Sequence, residues 1–277
     1  MEGLAFKTSR LFDAVSKLDC IKPYILVGGT ALSLQINHRE SEDLDFMKWR
    51  TFKDEKMEVD WPNIEKALAS VGTVQKVDIL DINHVEYYVS DVKFSFYACD
   101  KHSPVRQCIN FHNNIKLADM KAIMAMKMEV MLRRTNFRDY YDIYSMLKSG
   151  LSIHESVNAA TKYSYHKLKT KNILAILSNS DRFIPDANFL NLMPKYKVSA
   201  QEIATYIKSE LANVRDIRIS ERNEVFTIKA TIDREEQLAV NISKEDYILY
   251  RDQKIDAFSL VEKYYAKRLS SSNDRDL

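Results

Sequence analysis

Hydrophobic positions recur along the chain with two periods, and the change of period marks the predicted elements. Helices are predicted where apolar residues fall three or four positions apart, over residues 8–20, 30–36, 61–71 and 117–147. Within the last of these stretches, Asn136 is expected to be a cap where one helix ends and the next begins. Strands are predicted where apolar residues alternate or form short runs, over residues 24–27, 43–47, 73–79, 84–89 and 92–98. Residues 101–114 show neither period and are predicted to form an irregular connection. Interleaved strands and helices of this kind predict an α/β core with a mixed sheet.

The second half of the chain changes character twice. Residues 151–212 are predicted to be mostly helical, with interruptions around Pro185 and Pro194. Strands are then predicted over residues 216–220, 224–232 and 237–242, a last helix over residues 256–269, and a polar tail from Ser270. The predicted fold class is therefore α+β in three parts: an α/β core over residues 1–112, a helical domain over residues 113–212 that closes a cleft, and a small α+β appendage over residues 213–277.

Composition places the chain among ordinary globular proteins. Hydrophobic residues make up 45% and charged residues 29% of its 277 positions, and no apolar run approaches the roughly 18 residues of a membrane span. The first seven residues lack the basic start and apolar run of a secretion signal. Cys20, Cys99 and Cys108 are odd in number and widely spaced, which favours free thiols in a reducing cytoplasm. The net charge of +2 neither requires nor excludes a nucleic-acid partner.

Two of the five glycines are adjacent, at the junction of a predicted strand and a predicted helix. Gly28 and Gly29 let the backbone come close to a ligand, and the helix that starts at Thr30 offers unpaired N–H groups and the positive end of its dipole. That arrangement suits a triphosphate. A Gly-Gly turn between a strand and a helix is common, however, so this interpretation needs support from other residues.

Asp43 and Asp45 supply that support. Residues two apart on a strand point to the same face, so the two carboxylates lie about 7 Å apart and can bind hard cations such as Mg²⁺. Two such ions would activate an attacking hydroxyl and stabilise a leaving pyrophosphate. The glycines precede the aspartates by 14 to 17 positions, enough for one helix and a turn that return the second strand to the first. Arg39 and Ser41 lie in the intervening loop, where Arg39 either reaches a phosphate or pairs with a neighbouring glutamate.

A second set of charged residues falls in the predicted helical region. Lys127 and Arg134 are seven positions apart and are predicted to share one helix face, with Arg138 a further turn along. Such cations would neutralise a triphosphate and stabilise the phosphoryl group in transfer. Asp139 and Asp142 would orient these cations or support a metal. The alternative is an ordinary salt-bridged helix in which Arg138 and Asp142 form an i,i+4 pair.

Together, the two sets resemble the signature of the AbiEii/AbiGii toxin family, within the DNA polymerase β-like nucleotidyltransferase superfamily. The first block is Leu-Val-Gly-Gly-Thr-Ala-Leu-Ser-Leu over residues 26–34, followed by His-Arg-Glu-Ser-Glu-Asp-Leu-Asp-Phe over residues 38–46. The second block is Ala-Met-Lys over residues 125–127, Arg134, and Arg-Asp-Tyr-Tyr-Asp-Ile-Tyr over residues 138–144. The resemblance covers roughly residues 24–148, and both blocks occur in the expected order.

This resemblance implies transfer of a nucleotide from a nucleoside triphosphate, with two Mg²⁺ ions, to an acceptor that is either RNA, such as the 3′ end of tRNA, or a protein hydroxyl. It also implies the toxin of a toxin–antitoxin or phage-defence (abortive infection) pair, with a separately encoded antitoxin. The expected catalytic residues are Asp43, Asp45, Lys127 and Asp139, of which Asp43 and Asp45 bind the metal. The expected nucleotide-binding residues are Gly28, Gly29, Thr30, Arg39, Ser41, Arg134, Arg138 and Asp142.

One position departs from the superfamily pattern. A third acid is usual on a later strand, and Ser95 stands where it would fall in the segment Val-Lys-Phe-Ser-Phe. Serine cannot replace a carboxylate as a metal ligand or general base. The acid that replaces it would then be Asp91, Asp100, Glu86 or Asp139. A weakened or lost activity is the other outcome that stays open.

Other functions are consistent with the same residues. One is a degenerate member of the fold that binds nucleotide or RNA without turnover. Another is a small-molecule nucleotidyltransferase of the antibiotic-modifying kind, which would have an acidic acceptor cleft. A basic, aromatic stretch over residues 162–171 favours either RNA contact or a solvated helix face. Cys99 with His102 and Cys108 with His112 have metal-like spacing, but the two pairs lie too close together for a usual zinc module.

Overall fold

The computed structural model describes residues 1–165, 167–212, 214–232 and 236–252, with 254, 255, 257, 259–261 and 263–265. Two sheets and the helices around them form a mixed α+β structure, as predicted. None of the helices within these ranges is long and apolar enough to cross a membrane. The three cysteines are free thiols, as their spacing predicted.

The larger sheet contains seven strands from the first part of the chain. They are β1 (Ile25–Val27), β2 (Leu44–Trp49), β3 (Val74–Asp81), β4 (His84–Val89), β5 (Val92–Cys99), β6 (Ile109–His112) and β7 (Ile115–Leu117). Their order is β3-β4-β5-β2-β1-β7-β6. Strand β2 is parallel to β5 and β1 is parallel to β7, whereas all other neighbours are antiparallel. The predicted mixed sheet is therefore confirmed, and β2 is its central strand.

The expectation of an irregular connection over residues 101–114 is wrong in its last part. Residues Ile109–His112 form the edge strand β6, which pairs antiparallel with β7 across a two-residue turn. Asn113 in that turn has a left-handed backbone (φ 47°), which asparagine tolerates better than most residues. The Asn-Asn pair between two short runs was the local signal for this hairpin, and it extends the sheet to Leu117, beyond residue 112.

Helices cover the larger sheet and continue to residue 212. They are α1 (Phe6–Ser16), α2 (Gly28–Ile36), α3 (Trp61–Ala69), α4 (Met120–Val130), α5 (Phe137–Lys148), α6 (Ile153–Tyr163), α7 (Thr170–Leu177) and α8 (Ala200–Ala212). Short 3₁₀ turns at Ser180–Arg182 and Phe189–Leu192 replace regular helix near the two prolines.

The ends of three helices matter for the site. Helix α2 begins at Gly28 and not at Thr30, so the glycines form its first turn. Asn136 caps α5, as predicted, because its side chain accepts a hydrogen bond from the N–H of Arg138. Helix α4 ends at Val130. Arg134 therefore lies in the turn before α5, contrary to the expected helix face shared with Lys127.

A continuous hydrophobic core joins the larger sheet to these helices. It includes Leu26 of β1, Phe46 of β2, Phe96 of β5 and Ile123 of α4, and it extends to Ile207 of α8. Burial of apolar side chains is the main favourable term in folding. The helical residues therefore pack on the same core as the sheet, which keeps α4 and α5 beside the central strands.

A smaller unit with its own hydrophobic cluster follows. Its strands β8 (Val214–Arg222), β9 (Val225–Ile232) and β10 (Glu236–Ile242) form an antiparallel sheet in the order β10-β9-β8, before α9 (Lys244–Arg251). The three strands were predicted. Of the predicted helix over residues 256–269, the described residues between 257 and 265 are helical. The rest of that helix and the tail from Ser270 lie outside the described residues.

Candidate active site

Asp43 and Asp45 lie at the start of the central strand. Strand β2 returns antiparallel to β1, with Asp45 opposite Val27, the residue before Gly28. The predicted return of the second strand to the first is thus confirmed. Gly28 has a left-handed backbone (φ 70°), and a Cβ there would lie 2.7 Å from Oδ2 of Asp45. Glycine at this position therefore allows the Asp45 carboxylate to approach the first turn of α2.

The carboxylates of Asp43 and Asp45 form no hydrogen bond or ion pair with any residue that the structure describes. Burial, followed by the charge of Asp43, raises the pKa of Asp45 to about 6. Burial also raises the pKa of Asp43. Two neighbouring carboxylates without partners, of which Asp45 is half-buried and Asp43 is exposed, attract a cation. Mg²⁺ fits these ligands, because proteins hold it with one or two carboxylates while water and substrate phosphates complete its coordination.

A cavity of about 250 Å³ opens beside Asp45, between the sheet and α4. Its ionisable lining consists of Asp45, His84, Lys127 and Arg134, and Gly28 also lines it. Its apolar and aromatic lining includes Met47, Tyr97, Ile123, Met126 and Val130. A cavity with a carboxylate, two permanent cations and an apolar wall can hold the phosphates and the base of a nucleotide.

One aspartate binds both cations of the cavity. Nζ of Lys127 donates to Oδ1 of Asp139 at 2.7 Å, while Nε and Nη2 of Arg134 donate to the same carboxylate at 2.7 and 3.0 Å. The Lys127 side chain is 9% exposed, whereas that of Arg134 is 58% exposed. Arg134 is therefore the cation that a phosphate can reach directly. Lys127 contributes its charge from the wall of the cavity.

A buried ionic group, centred on Asp142 of α5, lies behind the cavity. Asp142 accepts hydrogen bonds from Nε and Nη2 of Arg39 at 2.7 and 2.9 Å, and it lies 2.7 Å from both Nε2 of His38 and Nζ of Lys127. Burial alone would raise the pKa of Asp142, but the charges of Arg39 and Lys127 hold it well below its usual value. Burial lowers the pKa of His38, so this imidazole is neutral at pH 7. In this structure, the Arg39 side chain therefore contacts α5.

Gly29 makes room for the buried ionic group. A Cβ at Gly29 would collide with Nη2 of Arg39 and would lie 3.2 Å from Oγ of Ser41. Oγ1 of Thr30 lies 2.8 Å from Oγ of Ser41 and also contacts the carbonyl oxygen of Asp43. Thr30 and Ser41 are both buried. These contacts shape the loop between α2 and β2, and nucleotide binding by Gly29, Thr30, Arg39 and Ser41 stays a prediction.

Arg138 lies at the rim of the site, on the outer side of α5. Its Nη1 donates to Oε2 of Glu42 at 2.9 Å, and its Nε donates to Asp186. The alternative i,i+4 pair between Arg138 and Asp142 is not formed, because Asp142 is already bound by Arg39 and by Lys127. The Arg138 side chain is 27% exposed, and its role in phosphate binding stays a prediction.

Ser95 occupies the strand position next to Asp45. Paired residues of neighbouring strands point to the same face, and Asp45, Ser95 and Glu86 form one row across β2, β5 and β4. Oε1 of Glu86 pairs with Nζ of Lys93 at 2.7 Å. Asp91 lies in the turn before β5 and pairs with a lysine of α1. Of Glu86 on β4 and Asp91 in the turn before β5, both considered as substitutes, Glu86 is therefore the one that shares a row with Asp45.

Sequence reasoning missed several residues around the cavity. His84, Met47 and Tyr97 line it, and Lys93 influences Asp45, whose pKa its charge lowers. The signal for these residues was the period of two in β4 and β5. Which of the two faces of a strand meets the site depends on the register between strands, and the pattern along one strand does not reveal that register.

The weaker signals of the sequence fall outside this site. The basic stretch over residues 162–171 is not a single helix face, because α6 ends at Tyr163 and α7 begins at Thr170; His166 lies outside the described residues. Within the described part of the chain, no group of three or more His, Cys, Asp and Glu side chains is arranged to hold a metal. Nε2 of His112 pairs with Asp13 at 2.9 Å.

A family model described as the nucleotidyl transferase AbiEii toxin of type IV toxin–antitoxin systems matches residues 10–209. The chain belongs to this family. The family resemblance drawn from the sequence is thus confirmed, and with it nucleotidyl transfer and a toxin–antitoxin pair as the general function. The matched residues include the whole cavity and the buried ionic group, whereas β8–β10 lie beyond them.

The structure is also similar to MenT4, a nucleotidyltransferase toxin from Mycobacterium tuberculosis, with 12% identity, a TM-score of 0.49, and coverage of 76% of this chain and 82% of that chain. No curated protein sequence matches the chain.

Proposed function

We propose that the chain transfers a nucleotide from a nucleoside triphosphate, with Mg²⁺, to the 3′ hydroxyl of an RNA such as tRNA. The observation that carries this proposal is the unpaired carboxylate pair. Asp45 lies against the Gly28 turn and opens on the same cavity as Lys127 and Arg134. The metal-binding carboxylate of Asp45 and the phosphate-binding cations therefore face one space.

The residues of the cavity divide the work between metal and phosphates. Asp43 and Asp45 would hold the metal, which when bound stabilises charge on the attacking and leaving oxygens. Arg134, which is exposed, would bind the triphosphate, with Lys127 adding positive charge from the wall. Asp139 acts as a positioning residue, because it binds both cations.

The covalent step is a displacement at the α-phosphorus. The acceptor oxygen forms a bond to that phosphorus while its hydroxyl proton is released, and the bond from the phosphorus to the bridging oxygen breaks, so that pyrophosphate leaves. The apolar wall with Met47 and Tyr97 would pack against the base and limit the entry of water.

The charge of the cavity supports an RNA acceptor over a small cationic one. Lys127 and Arg134 line it together with a single carboxylate, that of Asp45. A cationic antibiotic would need the acidic cleft expected for the antibiotic-modifying kind of enzyme, and one carboxylate beside two cations that pair with Asp139 does not form such a cleft. As the toxin of its pair, the chain would act on RNA until the antitoxin restrains it.

The first test is incorporation of label from each α-³²P nucleoside triphosphate into total tRNA, with and without Mg²⁺. The wild type is expected to label tRNA, and Asp43→Asn and Asp45→Asn are each expected to lower the rate by more than about 100-fold, because each removes a metal-binding charge. Asp78→Asn is the matched control, since Asp78 is an acid of the edge strand β3 that pairs with Lys76. Equal labelling by wild type and Asp45→Asn would contradict the proposal.

Ser95 favours a second candidate, a nucleotide-binding protein without turnover. With serine in the row of Asp45 and Glu86, the usual third acid is absent from its strand. Binding of a nucleoside triphosphate with Mg²⁺, but no transfer to RNA, protein or small-molecule acceptors, would support this candidate and reject the transfer reaction.

A further inference from the structure

The C-terminal sheet has one covered and one open face. Phe226, Ile228 and Leu238 point to the covered face and pack with the cluster that includes Leu260 and Val261. The alternating positions on β8 and β9 point the other way. The open face carries three cations and three small polar residues, Arg218, Ser220, Arg222, Thr227, Lys229 and Asn241, together with Val225, Gln237 and Ala239; Thr231 belongs to the same face but is buried.

Register places these residues in rows across the sheet. Arg218 on β8 is opposite Lys229 on β9, and Ser220 is opposite Thr227. Thr227 is opposite Asn241 on β10. Because directly paired residues share a face, the six side chains belong to one surface and not to two.

All formal charges among the described side chains of the open face are positive. Arg218, Arg222 and Lys229 are exposed, and none of them pairs with a carboxylate of the described chain. Some cations elsewhere on the surface are paired within the chain. Lys17 pairs with Asp13 at 2.7 Å, and Lys121 pairs with Glu155 at 2.8 Å. The open face therefore attracts an anion that the described side chains do not supply.

The dimensions of the open face fit an extended polyanion. Arg218 and Lys229 are cross-strand neighbours, with Cβ atoms about 5 Å apart, whereas Arg222 lies four residues along β8, about 13 Å away. A nucleic-acid strand carries one negative charge about every 3.4 Å along its axis. A few successive nucleotides can therefore present phosphates to all three cations.

We propose that the open face of β8–β10 binds the phosphate backbone of RNA without reading its sequence. A protein partner is disfavoured, because the centre of the face lacks the aromatic and large apolar residues that anchor protein interfaces. The same lack of aromatic residues removes base stacking and leaves phosphate contacts as the source of affinity. The choice of RNA among polyanions rests on the proposed function, in which the acceptor is RNA.

The test measures binding of fluorescein-labelled bulk tRNA by anisotropy over a range of salt concentrations, with the full-length protein. An Asp45→Asn background prevents transfer during the measurement. The charge variant is Arg218→Gln/Arg222→Gln/Lys229→Gln, and the matched control is Lys17→Gln/Lys22→Gln/Lys121→Gln, which removes three exposed cations that already have partners. A second variant, Arg218→Lys/Arg222→Lys, keeps the charge and therefore separates loss of positive charge from replacement of the arginine side chains.

Loss of three phosphate contacts is expected to lower the slope of log Kd against log salt by about 2 to 3 and to weaken binding at low salt at least about tenfold. The matched control and the lysine variant are expected to keep the wild-type slope. Equal affinity and slope for wild type and charge variant would overturn the proposal, as would equal loss in the matched control or in the lysine variant.

Two further outcomes separate this proposal from its alternatives. Displacement of tRNA by polyglutamate of the same total charge, as effective as displacement by unlabelled RNA, would reassign the open face to acidic proteins and overturn the proposal. Failure of the proposed function has a different signature: no nucleotide is incorporated into any RNA, yet tRNA binding still depends on Arg218, Arg222 and Lys229.

Discussion

Two aspartates of the same site region have opposite electrostatic surroundings. Asp45 has no partner in the described chain, and burial raises its pKa to about 6. Asp142 is bound by Arg39, His38 and Lys127, and its pKa is well below the usual value. A carboxylate that is desolvated without compensation costs stability and marks a binding or catalytic role, whereas a fully compensated one marks structure.

This contrast predicts that removal of the Asp45 charge stabilises the metal-free protein. The folded state binds the Asp45 proton more tightly than the unfolded state does, so stability falls as pH rises from about 4 through 6. Asp45→Asn is therefore expected to raise the free energy of unfolding at pH 7 by about 1–2 kcal/mol. This gain is smaller than the free energy that corresponds to the whole pKa shift, because water partly reaches the side chain.

Urea unfolding at several pH values checks this expectation. The difference between Asp45→Asn and wild type is expected to shrink toward zero near pH 4, where the wild-type carboxyl is protonated in the folded state. Asp78→Asn, on the edge strand, serves as the control and is expected to show no such gain. A variant that is less stable than wild type at pH 7 would contradict the assignment of Asp45 as an uncompensated charge.

At the scale of elements, Asp142 connects helix α5 to the loop between α2 and β2. Its folded pKa is depressed, so its contribution to stability is present above the unfolded pKa of about 4 and is lost as pH falls through the folded value. Asp142→Asn leaves Arg39 and Lys127 without their common partner. It is expected to lower the free energy of unfolding at pH 7 by about 3–5 kcal/mol.

The same unfolding measurement, repeated at lower pH, tests the cause of that loss. The gap between wild type and Asp142→Asn is expected to narrow as pH falls below about 4, because the unfolded wild-type chain then binds a proton at Asp142 that the folded state does not bind, and to close only as pH falls through the depressed folded pKa. Asp13→Asn is the control, since Asp13 pairs with Lys17 on the exposed side of α1, and it is expected to change stability little. A loss that is equal at every pH would point to packing and not to charge.

The elements that carry the site were predictable because their signals are local. The apolar run before Gly28, the helix after it and the alternation at Asp43 and Asp45 correctly placed β2 beside β1, whereas the antiparallel direction of this pair was not predicted. Asn136 was recognised as the cap of α5. The end of α4 at Val130 was not predicted, because residues 131–136 contain neither glycine nor proline.

The contacts within the site were less predictable than its elements, because they join distant parts of the chain. Arg39 and Asp142 are 103 positions apart, and no local pattern distinguishes an arginine that binds an aspartate from one that binds a phosphate. Gly29 shows the same difficulty. Its position suggested a nucleotide contact, whereas the structure shows in addition that a side chain there would collide with the Arg39 guanidinium.

At the scale of the whole molecule, the described residues form two hydrophobic clusters that do not share a side chain. The first supports the cavity, and the second supports only β8–β10 and the helical residues packed on them. Leu238 is fully buried in the second cluster. Leu238→Ala is therefore expected to destabilise the C-terminal unit by about 2–5 kcal/mol while the larger sheet keeps its stability.

Hydrogen exchange followed by mass spectrometry separates these two regions within one sample. Amides of β8–β10 are expected to exchange faster in Leu238→Ala, whereas amides of β1, β2 and β5 keep wild-type protection and provide the internal control. Nucleotide binding in the cavity is expected to persist, because every residue that lines the cavity packs with the first cluster or lies beside it. Binding of tRNA is expected to weaken together with the protection of β8–β10, since the open face exists only while its sheet is folded. Equal loss of protection in both sheets would show that the two clusters unfold as one unit. RNA binding and nucleotide transfer would then have no physical basis for assignment to different parts of the chain.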